Sequence, residues 1–213
     1  MAEMAVKMAA DLTPQPPYNI LWLALNLKTD VSFLLEALPR LMDGILGARE
    51  KYNAQNVANT IWAIATLKEE APVLQQLLPD VLLEVPRVEK DMNAQSASNI
   101  LWAGSTLRND HAQLWSGVMP ALRRASIARL SSANEQNIAN SAWALALLDD
   151  GSQEALDALN RFAIAATAAV GQMKPQELAN TCYGFALSVA HPLRQVLGRC
   201  CNRCCRDQFR MDS

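Results

Sequence analysis

Five short stretches of this chain place two amides and an aromatic ring at one helical spacing. The pattern is Gln-x-x-x-Asn-x-x-aromatic, and its asparagines recur every 40 or 41 residues. Positions i, i+4 and i+7 of a helix lie on one side, so each stretch would form a stripe. Amides donate and accept hydrogen bonds and an aromatic ring offers a stacking surface, which is the chemistry that holds unpaired nucleobases. The five stripes are Gln15, Asn19 and Trp22; Gln55, Asn59 and Trp62; Gln95, Asn99 and Trp102; Gln136, Asn140 and Trp143; and Gln176, Asn180 and Tyr183.

The repeated stripe also has a structural interpretation. A repeated amide can satisfy the backbone of the next unit, and the aromatic ring next to a small residue is interpreted as packing between units. A protein that reads different bases needs positions that vary, and two varying polar series lie beside the stripe. Short polar side chains at helix starts also serve as caps, so both interpretations stay open. The readout candidates are Asn56, Ser96, Asn137 and Glu177 in one series, and Thr60, Ser141 and Thr181 in the other.

The sequence of each repeat predicts two helices. In the second repeat Asn53 is a typical amino-terminal cap, and apolar residues follow it at helical spacing. Lys68-Glu69-Glu70 then forms a polar turn before a second apolar-periodic segment. Prolines recur in the second helices, at Pro39, Pro79 and Pro120. At these prolines either the helix is bent or two short helices meet.

The period predicts an all-α fold, an α-solenoid of about five helical-hairpin repeats with about ten helices and a short leading one. Residues 1–12 would be the trailing helix of a preceding repeat or an amino-terminal cap, and residues 207–213 a tail. The five repeats are predicted at 13–52, 53–92, 93–133, 134–173 and 174–206.

Composition and motifs exclude several classes of protein. The net charge is −2, which does not indicate a strongly basic nucleic-acid binder, and no apolar run approaches the ~18 residues of a membrane span. The chain has two histidines and shows neither a glycine-rich phosphate loop nor a nucleophile elbow, so we predict no enzyme and no cofactor. Four of the five cysteines fall within Cys200–Cys205, and one helix cannot surround an ion, so no metal site is predicted.

The sequences Gln55–Leu67 and Gln136–Leu148 resemble the core of the octotricopeptide repeat, which is related to the helical repeats found with FAST-kinase-like and RAP regions. The resemblance covers about residues 13 to 200. It implies an α-solenoid that binds single-stranded RNA and acts as an adaptor in organellar RNA processing, stability, translation or ribosome assembly. It also implies a chloroplast or mitochondrial location.

The amino-terminal residues lack the features of a transit peptide. The clustered cysteines are interpreted as reduced thiols of an intracellular protein. We therefore expect an organellar location by resemblance, and a cytoplasmic one if the segment is complete.

Two alternatives stand beside RNA binding. An armadillo-type scaffold that binds peptides also uses asparagine and tryptophan ladders near this period, and the acidic balance favours such a protein partner. Here Asn precedes Trp by three residues, as at Asn59 and Trp62, which favours the octotricopeptide-like interpretation. The third interpretation is that the chain is a segment of a longer array and has no independent activity. The end repeats lack polar caps, which a longer array would explain and which end-to-end self-association would explain as well.

Overall fold

The computed structural model describes residues 31–187, with the side chains of residues 31–37, 40 and 41 excepted. The stripe of Gln15, Asn19 and Trp22, the cluster Cys200–Cys205, and the predicted segments 1–12 and 207–213 lie outside these residues. Every regular element between residues 31 and 187 is a helix, which confirms the predicted all-α class. This part of the chain divides into two compact units, one ending at Asp91 and the other beginning at Met92.

The described part of the first unit holds four α-helices and three 3-10 turns. A helix begins directly after the predicted cap Asn53, and the buried core includes Ile45, Ile61 and Leu74. The helices are α1 (Val31–Ala48), α2 (Ala54–Thr66), α3 (Leu78–Leu82) and α4 (Val85–Val88), with 3-10 turns at Arg49–Lys51, Pro72–Leu77 and Glu89–Asp91.

The described part of the second unit holds five α-helices, each of at least 13 residues. They are α5 (Ala94–Leu107), α6 (Ala112–Ala128), α7 (Glu135–Leu147), α8 (Gln153–Ala169) and α9 (Pro175–Leu187), with a 3-10 turn at Leu130–Ser132 between α6 and α7.

The recurring prolines have different consequences in the two units. Pro39 lies inside the continuous helix α1 and Pro120 inside the continuous helix α6. Around Pro79 the second segment is instead broken into a 3-10 turn and the short helices α3 and α4. The second of the two alternatives, short helices that meet, is therefore found at Pro79, whereas the helices at Pro39 and Pro120 are continuous. Leu78–Leu82 starts next to Pro79 and Val85–Val88 next to Pro86, which suits the preference of proline for the first turn of a helix.

The predicted period reappears in the helix starts. The first helices of successive repeats begin 40, 41 and 40 residues apart. These helices are α2, α5, α7 and α9, and they start at Ala54, Ala94, Glu135 and Pro175. In the second unit α7 packs against both α5 and α9, while α6 packs against α8. The first helices α5, α7 and α9 therefore lie side by side in one layer, and the second helices α6 and α8 form the other.

Small residues allow these helices to approach closely. A methyl group at Gly184 of α9 would lie 2.7 Å from the Cα atom of Trp143 in α7, so the two backbones are in direct contact. A methyl group at Gly104 of α5 would lie 2.9 Å from the ring of Trp115, which is buried on α6. Glycine is therefore required where α9 meets α7 and where the two layers meet.

One ion pair between a buried arginine and a half-exposed aspartate ties the layers together at a loop. Arg123 of α6 is 4% exposed, and its Nη1 donates to Asp150 Oδ2 at 3.0 Å and to Ser152 Oγ at 3.2 Å. The hydrogen bond from Arg123 holds the pKa of the Asp150 carboxyl well below its usual range, and hydrogen bonds from Ser152 act in the same direction, while burial opposes them. The loop between α7 and α8 is thereby fixed to α6.

Within residues 31–187, no helix combines the length and the apolar character that crossing a membrane requires.

We expect Gly184→Ala to destabilise the second unit by about 1–3 kcal/mol, because the added methyl group would overlap the α7 backbone. Gly117→Ala is the matched control, since Gly117 also lies in a helix but has nothing within 4 Å of the added group. That change should stabilise the protein by up to about 1 kcal/mol through helix propensity. Urea denaturation measures both values, and an equal gain from both variants would contradict the close contact between α7 and α9.

We expect Asp150→Asn to cost about 1–3 kcal/mol near neutral pH, because the buried Arg123 guanidinium loses its charged partner. The pKa of Asp150 is lowered in the folded protein, so its contribution is present above the unfolded value of about 3.9 and is lost as the pH falls below it. The stability difference between wild type and variant should therefore shrink in denaturant titrations repeated between about pH 7 and pH 3. Asp149→Asn changes the same charge on the adjacent exposed residue, and an equal effect there would exclude a specific role of the ion pair.

Candidate ligand-binding face

Asparagine caps fix the residue at which α2, α5 and α7 start. The start of a helix in turn determines which of its sides the stripe occupies. The Oδ1 atoms of Asn53, Asn93 and Asn134 accept the backbone N–H three residues later, at 2.9, 2.8 and 2.8 Å. Helix α9 has Lys174 at this position, and its backbone N–H donates to Glu177 Oε2 at 2.7 Å instead. Because the caps recur with the period, equivalent stripe residues lie the same number of residues after the start of their helices.

The stripe residues share one pattern of exposure, and the side of each first helix that they occupy is what we call its amide–aromatic face. The four glutamines are exposed and the four asparagines are half-buried. The residues on the other sides of these helices are mostly buried, among them Ile100 and Leu101 in α5. The glutamines are Gln55, Gln95, Gln136 and Gln176, and the asparagines are Asn59, Asn99, Asn140 and Asn180.

One amide hydrogen bond joins two neighbouring stripes of the second unit, those of α7 and α9. Gln176 Nε2 donates to Asn180 Oδ1 at 2.9 Å within α9, and Asn180 Nδ2 donates to Asn140 Oδ1 of α7 at 3.4 Å. The predicted ladder is therefore continuous between α7 and α9. These bonds hold the amides in place at the surface, where a ligand can reach Gln176.

The aromatic residues of the face differ in exposure. Trp62, Trp102 and Trp143 are half-buried, whereas Tyr183 is 57% exposed. The carbonyl oxygens of Trp62 and Trp102 accept the hydroxyls of the threonines one turn later, at 2.8 and 3.0 Å. The partial burial of the three tryptophans favours a packing role for their rings. The ring of Tyr183 is open to solvent to a larger extent.

The first series of readout candidates occupies the third position of each first helix, next to the cap. Asn56 Oδ1 accepts the Asn53 N–H at 3.1 Å, which completes a reciprocal capping box, and Glu177 makes the equivalent bond to Lys174. Asn56 and Ser96 are buried, and Asn137 and Glu177 are half-buried. The polar character of Asn56 and Glu177 therefore has a structural cause that requires no ligand.

The second series is buried more deeply. Thr60 and Thr181 are 0% exposed and Ser141 is 2% exposed. The hydroxyl of Thr60 donates to the Asn56 carbonyl at 2.9 Å, and that of Thr181 donates to the Glu177 carbonyl at 2.7 Å. Base readout from these positions stays a prediction, and it would require these buried side chains to become exposed. Sequence reasoning could not separate caps and buried hydroxyls from ligand contacts, because both use short polar residues beside the stripe.

Among residues 31–187, no three side chains of His, Cys, Asp or Glu are grouped so that they could hold a metal ion. The face is built instead from neutral hydrogen-bonding groups and rings. It can exchange hydrogen bonds with the edge of a nucleobase or with a peptide backbone.

We expect Asn93→Ala and Gln95→Ala to separate structure from binding. Loss of the cap at Asn93 should lower the free energy of unfolding by about 1 kcal/mol, whereas Gln95 is exposed and its loss should leave stability within about 0.5 kcal/mol. Thermal or urea denaturation of the two variants checks this. If Gln95→Ala destabilised the protein as much as Asn93→Ala, the glutamines would be part of the structural frame and not of a ligand face.

Comparisons of the chain with protein-family models, with curated proteins and with solved structures find no match.

Proposed function

We propose that this chain is a single-stranded RNA-binding adaptor, built as an α-solenoid of about five 40-residue repeats, whose amide–aromatic face holds the RNA. The observation that carries this proposal is the exposure of a glutamine at the same position of four successive first helices, each with a half-buried asparagine one turn further. A surface that repeats with the unit suits a ligand that is itself a repeating polymer.

The arrangement of the second unit supports the solenoid part of the proposal. Its first helices α5, α7 and α9 are neighbours in one layer, and their starts follow the period of the sequence. Stacked helical pairs of this kind are the architecture of repeat proteins that bind extended ligands.

The chemistry of the face favours contacts to bases. Glutamine and asparagine amides present donors and acceptors that match base edges, and the rings offer stacking area. Because the same residue types recur in every unit and most of the varying polar residues are buried, such binding would be tolerant of sequence. Phosphate contacts would be few, since the net charge is −2.

The organellar role in RNA processing, stability, translation or ribosome assembly is part of the same proposal. It rests on the resemblance of Gln55–Leu67 and Gln136–Leu148 to the octotricopeptide repeat.

An extended peptide is the second candidate ligand. The chain of amides from Gln176 through Asn180 to Asn140 could equally exchange hydrogen bonds with a peptide backbone, as the asparagine ladders of armadillo scaffolds do. The acidic balance of the chain favours this partner over a polyanion. The two ligands must therefore be compared directly.

We expect a mixed-sequence single-stranded RNA of about ten nucleotides to bind, with a shallow salt dependence of roughly two to three released ions. The double variant Gln95→Ala/Gln136→Ala should weaken binding about tenfold, because it removes two hydrogen-bonding side chains from the face. Gln113→Ala is the matched control, since Gln113 is an exposed glutamine on α6, in the other layer. Fluorescence anisotropy of labelled RNA measures all three proteins.

An equal loss of affinity in the double variant and in the control would place the RNA on another surface. If a random peptide pool bound at low salt and RNA did not, the protein would be a peptide scaffold and the proposed RNA-binding function would be wrong.

A further inference from the structure

The geometry points to a docking site for a single unpaired nucleobase at α9, formed by the ring of Tyr183 and the hydrogen-bonded amides of Gln176 and Asn180. This inference rests on the proposed function and adds to it which unit makes the stacking contact. Periodicity alone gives Tyr183 the packing role of the tryptophans, so the site follows from the structure.

Exposure of the ring separates Tyr183 from its equivalents. At 57% exposure, Tyr183 leaves more than half of its surface to solvent, whereas the tryptophans of α2, α5 and α7 are half-buried. Stacking needs an accessible ring face, since the binding energy comes from overlap with the base. Within residues 31–187, Tyr183 is the aromatic residue of the amide–aromatic face that best meets this condition.

Packing explains this exposure. Helix α7 is covered on both sides by α5 and α9, and the Ala139 side chain at its centre is 0% exposed. The equivalent residue of α9, 40 positions later, is Ala179, which is exposed. Helix α9 meets α7 through Gly184 and Asn180, whereas Ala179 and Tyr183 are exposed. The ring of Tyr183 therefore lies beside a solvent-exposed part of α9.

The amides next to the ring are already ordered. Gln176, Asn180 and Asn140 form a chain of two hydrogen bonds of 2.9 and 3.4 Å. Asn180 precedes Tyr183 by three residues, which is about 4.5 Å along a helix axis. A base stacked on the tyrosine ring would therefore bring its edge to the amides, and little side-chain entropy would be lost because the amides are held before binding.

The surrounding charges suit a single nucleotide. Lys174 is exposed at the amino-terminal end of α9, on the same helix as the amides, and could contact one phosphate. The carboxylate of Glu177 accepts the backbone N–H of Lys174 at 2.7 Å, which keeps its charge at that end of the helix and away from Tyr183.

The test uses a single-stranded oligonucleotide that contains 2-aminopurine, whose fluorescence is quenched when the base stacks. Binding to the wild-type protein should quench the signal. Tyr183→Leu should lower affinity about tenfold and remove the quenching, whereas Tyr183→Phe, which keeps the ring, should retain both. Ile164→Ala is the matched control, because Ile164 is an exposed apolar residue of α8, in the other layer, and it should bind like wild type.

Three results would overturn the inference, and they are distinguishable from one another. If Tyr183→Leu binds and quenches like wild type, RNA binding stands and the docking site is wrong. If the wild-type protein binds no oligonucleotide at low salt, the proposed function fails and the site fails with it. If a peptide binds in a manner that depends on Tyr183 while the oligonucleotide does not, the site exists but its occupant is not a base. Melting temperatures of the variants should stay within a few degrees of wild type, because the ring is largely exposed.

Discussion

The close approach of α9 to α7 is the contact on which the amide–aromatic face depends. It is made possible by Gly184, where even one methyl group would lie 2.7 Å from the Cα atom of Trp143. Only helices this close can join Asn180 to Asn140 by a direct hydrogen bond between side chains. The surface that we propose to bind a ligand is thus a consequence of small residues buried behind it, and the packing of the layer sets the spacing of the amides.

The sequence predicted the helices more completely than it predicted their surfaces. Period and caps located the starts of α2, α5 and α7, because asparagine at a helix start satisfies backbone donors by local geometry alone, and the period alone located the start of α9. Exposure depends on neighbouring helices, so the burial of Thr60 and Thr181 and the exposure of Tyr183 could not be derived from spacing. The pair of Arg123 and Asp150 was also missed, since it occurs in one unit and joins residues 27 positions apart.

The varying and the constant polar residues of a repeat have different roles. Four of the residues that vary beside the stripe cap a helix or donate to its carbonyls, namely Asn56, Glu177, Thr60 and Thr181, while the constant glutamines are exposed. A constant surface holds a polymer without discriminating strongly among its monomers, which is the behaviour expected of an adaptor that protects or positions RNA. Specific contacts would then come from units that depart from the common pattern, and α9 with its exposed tyrosine is one of these.

The central claim is that the amide–aromatic face, and no other surface, contacts single-stranded RNA. Side-chain amide and indole resonances report on this directly, because Asn and Gln NH₂ groups and Trp rings give separate signals in heteronuclear NMR spectra. Titration with an unstructured RNA should shift the side-chain signals of Gln95, Gln136 and Gln176 and of the asparagines beside them, and leave that of Gln113 on α6 unchanged. Shifts confined to α6 and α8, or no shift of any amide at saturating RNA, would contradict the account.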